Sequence, residues 1–275
     1  MQIDAHQHFW NYDPQKHAWI DDSMAKLKRD FLPDDLWQIY QANGIDGCVA
    51  VQADQSEAET DFLLQLAAQH DFIKGVVGWV DLRADTVEER LAHYAQFPKL
   101  KGFRHVVQDE PDPNFMLRAD FQHGISLLQQ YQFTYDILIF PTQLEAAIKT
   151  VRQFPAQQFV LDHIAKPYIK KGEIEVWRDH IQELANHPNV YCKISGMVTE
   201  ADWNKWTYED FVPYLDVVFH AFGAARILFG SDWPVCLLGG SYQAVKSIVD
   251  QYVSQYNDDV QASIFGANAT KFYRL

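Results

Sequence analysis

Cysteine is scarce in this chain: three residues among 275, Cys48, Cys192 and Cys236, with no CxxC spacing. Three scattered thiols cannot all pair, and they read as reduced, buried side chains of a cytoplasmic protein. Positive charge is scarce too. Lys and Arg total 23 against 37 Asp and Glu, a formal net charge of −14. Phosphate binding needs clustered cations, so this balance argues against a nucleic-acid partner. No apolar run reaches the roughly 18 residues of a membrane span. The N-terminus shows no basic region followed by an apolar stretch, so no signal peptide is expected. Low-complexity tracts and long polar linkers are also missing. These absences leave a soluble globular protein, a monomer or small homo-oligomer, and the acidic balance by itself points to no partner.

The composition is 48% hydrophobic and 14% aromatic, ample material for one large core. Short apolar, β-branched runs recur at 2–8, 45–52, 73–80, 100–106, 133–139, 158–163, 189–195 and 226–232. Amphipathic stretches lie between them. In "SEAETDFLLQLAAQHD" Phe62, Leu63, Leu66 and Ala67 form a stripe at helical spacing, and Ser56 with Glu59 makes a capping box. In "TQLEAAIKTVRQF" Thr142 and Glu145 are expected to play the same parts. Eight strands alternating with helices predict an α/β fold, a (β/α)8 TIM barrel, with residues 1–275 as a single domain. A doubly wound sheet is the alternative, but no glycine-rich phosphate loop follows the first strand. The stretch 11–35 delays the first helix and is expected to cover the catalytic face as part of a lid.

In such a barrel, polar residues at the C-terminal strand ends converge on one mouth. The first strand ends in His6 and His8, the second in Gln52, and the fourth carries Arg104 and His105. The sixth ends in His163, the seventh holds Lys193, and the eighth ends in Asp232. Each has a bland explanation taken alone, such as an Asx turn for Asp232 or a solvated ammonium for Lys193. Their joint occurrence at six strand ends points to a site. Strand parity places Asp4, His6 and His8 on one face, and Lys193 inward with Tyr191 and Ser195, unless a one-residue bulge intervenes.

The ordered set "DAHQHFW", "VQA", "KGFRHVVQ", "LDHIAKP", "CKISGM", "GSDWPV" and "FGANATKFYRL" resembles the amidohydrolase superfamily, in particular its amidohydrolase-2 group of sugar-acid lactonases. These are related to 2-pyrone-4,6-dicarboxylate lactonase. The resemblance implies a hydrolase that opens the ring of an aldonolactone such as L-fucono- or L-rhamnono-lactone. It implies His6, His8, His163 and Asp232 as ligands of one Zn²⁺ or another divalent metal. Members of the group that work without metal leave a second reading, in which the histidines bind the substrate carbonyl or carboxylate directly. A two-metal centre is not expected, because the fourth strand offers Arg104 and the fifth has Asp136 but no histidine. On this reading Asp232 is the general base, Lys193 and Arg104 polarise the carbonyl, and Trp10, Trp19, Gln52, His105 and Trp233 contact the substrate. A metal-dependent decarboxylase of the same lineage and a non-catalytic sugar-acid binding barrel are the competing functions.

Overall fold

The computed structural model describes residues 1–203 and 205–275. Eight strands form one all-parallel sheet in strictly sequential order. They are β1 (Ile3–Gln7), β2 (Gly47–Val51), β3 (Ile73–Gly78), β4 (Leu100–His105), β5 (Thr134–Ile137), β6 (Phe159–Leu161), β7 (Val190–Ile194) and β8 (Ile227–Phe229). The sheet closes on itself beyond β8, where Asp232 N donates to His6 O at 2.8 Å and His8 N donates to Trp233 O at 2.7 Å. The architecture is a TIM barrel, as the alternating sequence pattern predicts.

The first two helices bury one face each, through Leu36 and Tyr40 in one and Leu63, Leu64 and Ala67 in the other. Helix α1 (Pro33–Asn43) starts on a proline and ends at Gly44, whose φ of 68° is the left-handed conformation glycine adopts without cost. Helix α2 (Glu57–Gln69) is capped by Ser56, whose hydroxyl accepts from Glu59 N at 3.2 Å. The parallel expectation for Thr142 fails. A 3₁₀ turn at Pro141–Gln143 precedes the next helical segment, and Gln143 takes the terminal position, accepting from Phe140 N at 2.9 Å. Glu145 instead pairs with Lys149 on the surface.

The barrel interior is layered. Its lower part is apolar: Ile3, Ala5, Val49, Val51, Val77, Val160 and Leu228, closed from below by Ala269, Phe272 and Tyr273 of the C-terminal helical segment Asn268–Tyr273. Polar side chains begin one layer higher. On β1 the pairing register shifts between Asp4 and Gln7, and the irregularity separates residues that simple alternation would put together. His6 points inward. Asp4 faces the helices, where Tyr40 donates to it at 3.0 Å and Tyr242 at 3.3 Å. The expected shared face of Asp4 and His6 is thus broken by the bulge that parity cannot reveal.

Asp4 is fully buried and also accepts from Ser231 N at 2.9 Å and His6 N at 3.2 Å, tying β1 to the segment after β8. Burial pushes its carboxyl up to about 6, with those donors pulling in the opposite direction. Asp4→Ala strands several buried donors, and at about 1–3 kcal/mol each should cost 3 kcal/mol or more in urea unfolding at pH 7.5. A loss below 1 kcal/mol would show that this seam does not depend on Asp4.

Candidate active site

Why the strand ends converge is partly a backbone matter. Strand β6 stops at Leu161, Asp162 continues inward, and His163 takes φ 53°. A regular strand would send two successive side chains to opposite faces. The left-handed residue brings the imidazole of His163 back to the mouth beside Asp162. Asp232 has φ 58° and likewise lies past the end of its strand. Gly196 makes room for this arrangement, since a Cβ there would lie 2.6 Å from His163 Nδ1.

Three imidazoles surround one carboxylate oxygen. Asp232 Oδ1 lies 3.3 Å from His8 Nε2 and 3.9 Å from both His6 Nε2 and His163 Nε2. The two strand-one nitrogens are 3.2 Å apart. Burial lowers the pKa of His6 and His163 well below that of ordinary histidine, despite the carboxylates of Asp162 and Asp232 respectively. Burial raises Asp232, but His163 and His8 outweigh it and leave its carboxyl below the usual range. At neutral pH the cluster is therefore two neutral imidazoles facing an ionised carboxylate, with His8 held by its own contact. His8 Nδ1 meets the Val51 carbonyl at 2.8 Å and therefore carries a proton there, which fixes the ring with Nε2 toward Asp232.

Beneath the histidines lies an ionic lattice. Lys193 Nζ contacts Asp136 Oδ2 at 2.5 Å, Asp162 Oδ1 at 2.9 Å and His6 Nδ1 at 3.1 Å. Arg104 Nη1 donates to Asp162 Oδ2 at 3.1 Å and reaches His6 Nε2 at 3.3 Å. From below, the Tyr273 hydroxyl donates to Asp136 Oδ2 at 2.7 Å. Although burial opposes ionisation of Asp162, Lys193, His6 and Arg104 drive its carboxyl well below the ordinary range. Burial pushes Asp136 the other way, only partly offset by Lys193.

The donor set fits one metal ion. At zinc–ligand bonds of about 2.0–2.1 Å, tetrahedral donors lie roughly 3.3 Å apart, close to the spacing of His6, His8 and Asp232. These three, and separately His6, Asp162 and His163, form compact groups of potential ligand atoms. The space a second metal would need is committed: Arg104 stands on β4, and Asp136 is bound to Lys193 and Tyr273.

Above the cluster opens a cavity of about 490 Å³, with His8, Arg104, His163 and Asp232 in its lining. The long loop after β1 supplies one wall through Lys16, Trp19 and Met24. Of the five residues expected to contact substrate, only Trp19 lies on this lining. Trp10 is 1% exposed, donates from Nε1 to Arg29 O at 2.9 Å and packs edge-on behind Trp19. Trp233 is buried against Phe9 and Phe31. Gln52 braces Arg104, accepting from Nη2 through its carbonyl and donating from Nε2 to Arg104 O. His105 turns toward the helices, stacked on Phe115 and paired with Glu110 at 2.7 Å. It sits one residue past the inward Arg104, and strand alternation sends it outward. Lys193 also falls short of the cavity: it is fully buried, and its ammonium is occupied by three partners. Residues the strand-end reasoning missed include Asp162, Lys166, Glu200 and Trp203. An aspartate beside His163 at the end of an apolar strand was the available signal for the first.

Residues 3–275 match the family model described as Amidohydrolase. The chain belongs to the amidohydrolase family. It is 40% identical over 286 residues to an L-fucono-1,5-lactonase from Burkholderia multivorans, covering 100% of this chain and 96% of that protein. A second L-fucono-1,5-lactonase, from Burkholderia ambifaria, is 36% identical over 282 residues, again covering 100% of this chain and 96% of that one. A crystal structure of an amidohydrolase from Burkholderia multivorans with bound zinc superposes with a TM-score of 0.96 at 41% identity, covering 100% of this chain and 99% of that chain. In this amidohydrolase, then, the histidine–aspartate cluster is a potential metal site in a family where a relative holds zinc.

Removing one partner from the lattice leaves a buried charge unpaired. Lys193→Met should cost about 3–5 kcal/mol in denaturant unfolding. Adding Asp136→Asn should recover part of that loss, because the stranded carboxylate is gone. Simple additivity of the two single substitutions would show that the pair is not energetically coupled.

Proposed function

We propose that this protein hydrolyses the ring ester of a sugar-acid lactone. The observation that carries the reading is Asp232: an ionised carboxylate at the floor of a sugar-sized cavity, ringed by imidazoles, with Arg104 in the same lining. Full-length similarity to two L-fucono-1,5-lactonases supports the same chemistry and makes a 1,5-lactone of a 6-deoxy sugar acid the first substrate to test. No feature of the site favours decarboxylation over ester cleavage.

Lactone opening needs an activated water, stabilisation of the oxyanion and a proton for the departing ring oxygen. Asp232 meets the histidines through Oδ1, and its second oxygen accepts a proton from the attacking water. The same carboxyl then returns that proton to the ring oxygen as the carbon–oxygen bond breaks. Arg104 is held against His6 and Asp162, so its charge is fixed beside the reacting carbonyl before substrate arrives. A zinc ion held by His6, His8, His163 and Asp232 supplies Lewis-acid polarisation of the carbonyl when bound. Lys193 acts from below. It orients His6 and holds Asp162 ionised, and it does not touch substrate. Trp19 offers an apolar face to the sugar ring, and the loop that carries it limits access of bulk water.

Asp232→Asn preserves the shape of the site and removes its base. Turnover in a pH-indicator assay on L-fucono-, L-rhamnono- and L-galactono-lactones should fall about 10²–10⁴-fold. Near-parental rates would rule out Asp232 as the essential base. Chelation should abolish turnover and Zn²⁺ should restore it. Rates indifferent to chelator would instead assign the histidines to direct carbonyl binding.

A further inference from the structure

The motif "LDHIAKP" contains more than the histidine already placed. Residues His163, Ile164, Ala165 and Lys166 have φ of 53°, 50°, 61° and 47°, four consecutive non-glycine residues in the left-handed region. Side chains other than glycine adopt this conformation at a cost, so a run of four persists only where its surroundings impose it. Those surroundings are present. Lys166 N donates to His163 O at 2.8 Å, Trp177 Nε1 donates to Ile164 O at 2.8 Å, and His163 Nδ1 meets Ser195 Oγ at 2.8 Å. The tight turn brings residues three apart to one side, and His163 and Lys166 both line the cavity with Asp232.

Lys166 differs from the other cations near the site. Lys193 is sealed beneath His6, and both terminal nitrogens of Arg104 are occupied. Lys16 is exposed on the covering loop. Lys166 is half-buried, its Nζ lies 5.6 Å from the centre of the Phe140 ring, and it makes no ion pair among the described residues. The charged groups that share its part of the cavity are Asp232 and Glu200. Burial pushes the Glu200 carboxyl up and the nearby Lys166 pulls it down, but the two form no ion pair. The site thus holds an uncommitted positive charge, fixed by a strained backbone, next to the proposed base.

We propose that Lys166 is the anion receptor of this cavity, taking the negative charge that forms on the lactone carbonyl oxygen and then holding the carboxylate of the open-chain acid. The proposal rests on the lactonase reading for its first half. Water attack forms the new carbon–oxygen bond, the carbonyl π pair moves onto oxygen, and Asp232 takes the water proton. Collapse of that oxyanion breaks the ring ester, and the proton passes to the ring oxygen. The acid formed loses its own proton to solvent, so an anion remains where a neutral substrate was bound. A cation that needs no rearrangement suits both charged species.

The test separates anion recognition from turnover. L-Fuconate and the neutral alditol L-fucitol are titrated calorimetrically into the parent, Lys166→Met and Lys166→Arg, with thermal unfolding confirming that all three are folded. Lys166→Met should lose about tenfold or more in aldonate affinity, with fucitol affinity unchanged and Lys166→Arg close to the parent. On the lactone, Lys166→Met should lower kcat about 30-fold with KM altered less than threefold. Equal aldonate affinity in the parent and Lys166→Met, or a parent with no preference for aldonate over alditol, overturns the proposal. A parent that prefers aldonate through Lys166 but opens no lactone would sink the lactonase reading and leave the anion site standing.

Discussion

Four charged side chains, Lys193, Arg104, Asp136 and Asp162, share the buried middle of this barrel. Each ion in such a place carries a desolvation penalty of several kcal/mol, tolerable only with close opposite charge. The lattice meets that demand by alternation. Asp162 stands between Lys193 at 2.9 Å and Arg104 at 3.1 Å, and Lys193 stands between Asp162 and Asp136. Neither cation can move toward the mouth without stranding a carboxylate. His6 rests on both, so the imidazole that links the lattice to His8 and Asp232 is positioned by electrostatics as well as by its strand. The cavity above can then vary in its loops while the reacting groups stay fixed.

Division of labour follows. Lys193 and Asp136 do their work from beneath, where no substrate reaches. Asp232, His8, His163 and Arg104 stand at the boundary between lattice and cavity. Trp19, Glu200, Trp203 and Lys166 belong to the upper wall of the cavity. Recognition and charge compensation therefore reside in different layers of one structure.

Much of this arrangement is legible in the amino-acid order. Strand runs bounded by amphipathic segments specify the barrel, and polar residues at strand ends specify the mouth, because parallel strands all deliver their ends to one side. His6, His8, His163 and Asp232 follow from that rule. The failures have physical causes. Alternation mistook the face of Asp4 because β1 carries an irregularity that leaves no mark in composition. His105 and Trp233 sit next to Arg104 and Asp232, which line the cavity, and their own backbone directions carry them away. Lys193 was correctly expected to point inward, but inward here means into a sealed ionic layer, and depth along a strand depends on barrel stagger. Lys166 was invisible because nothing in "HIAKP" announces a left-handed run.

The hydroxyl of Tyr273 joins the far end of the chain to this chemistry. Through Asp136 and Lys193 it stands three contacts from His6, yet it enters from the side of the barrel opposite the mouth. Removal of residues 273–275 would thus take away a donor to the ionic lattice while every residue of the cavity wall remained in place. Loss of function from such clipping would masquerade as a defect in the active site, and a preparation's integrity at Tyr273 becomes part of any measurement of its rate.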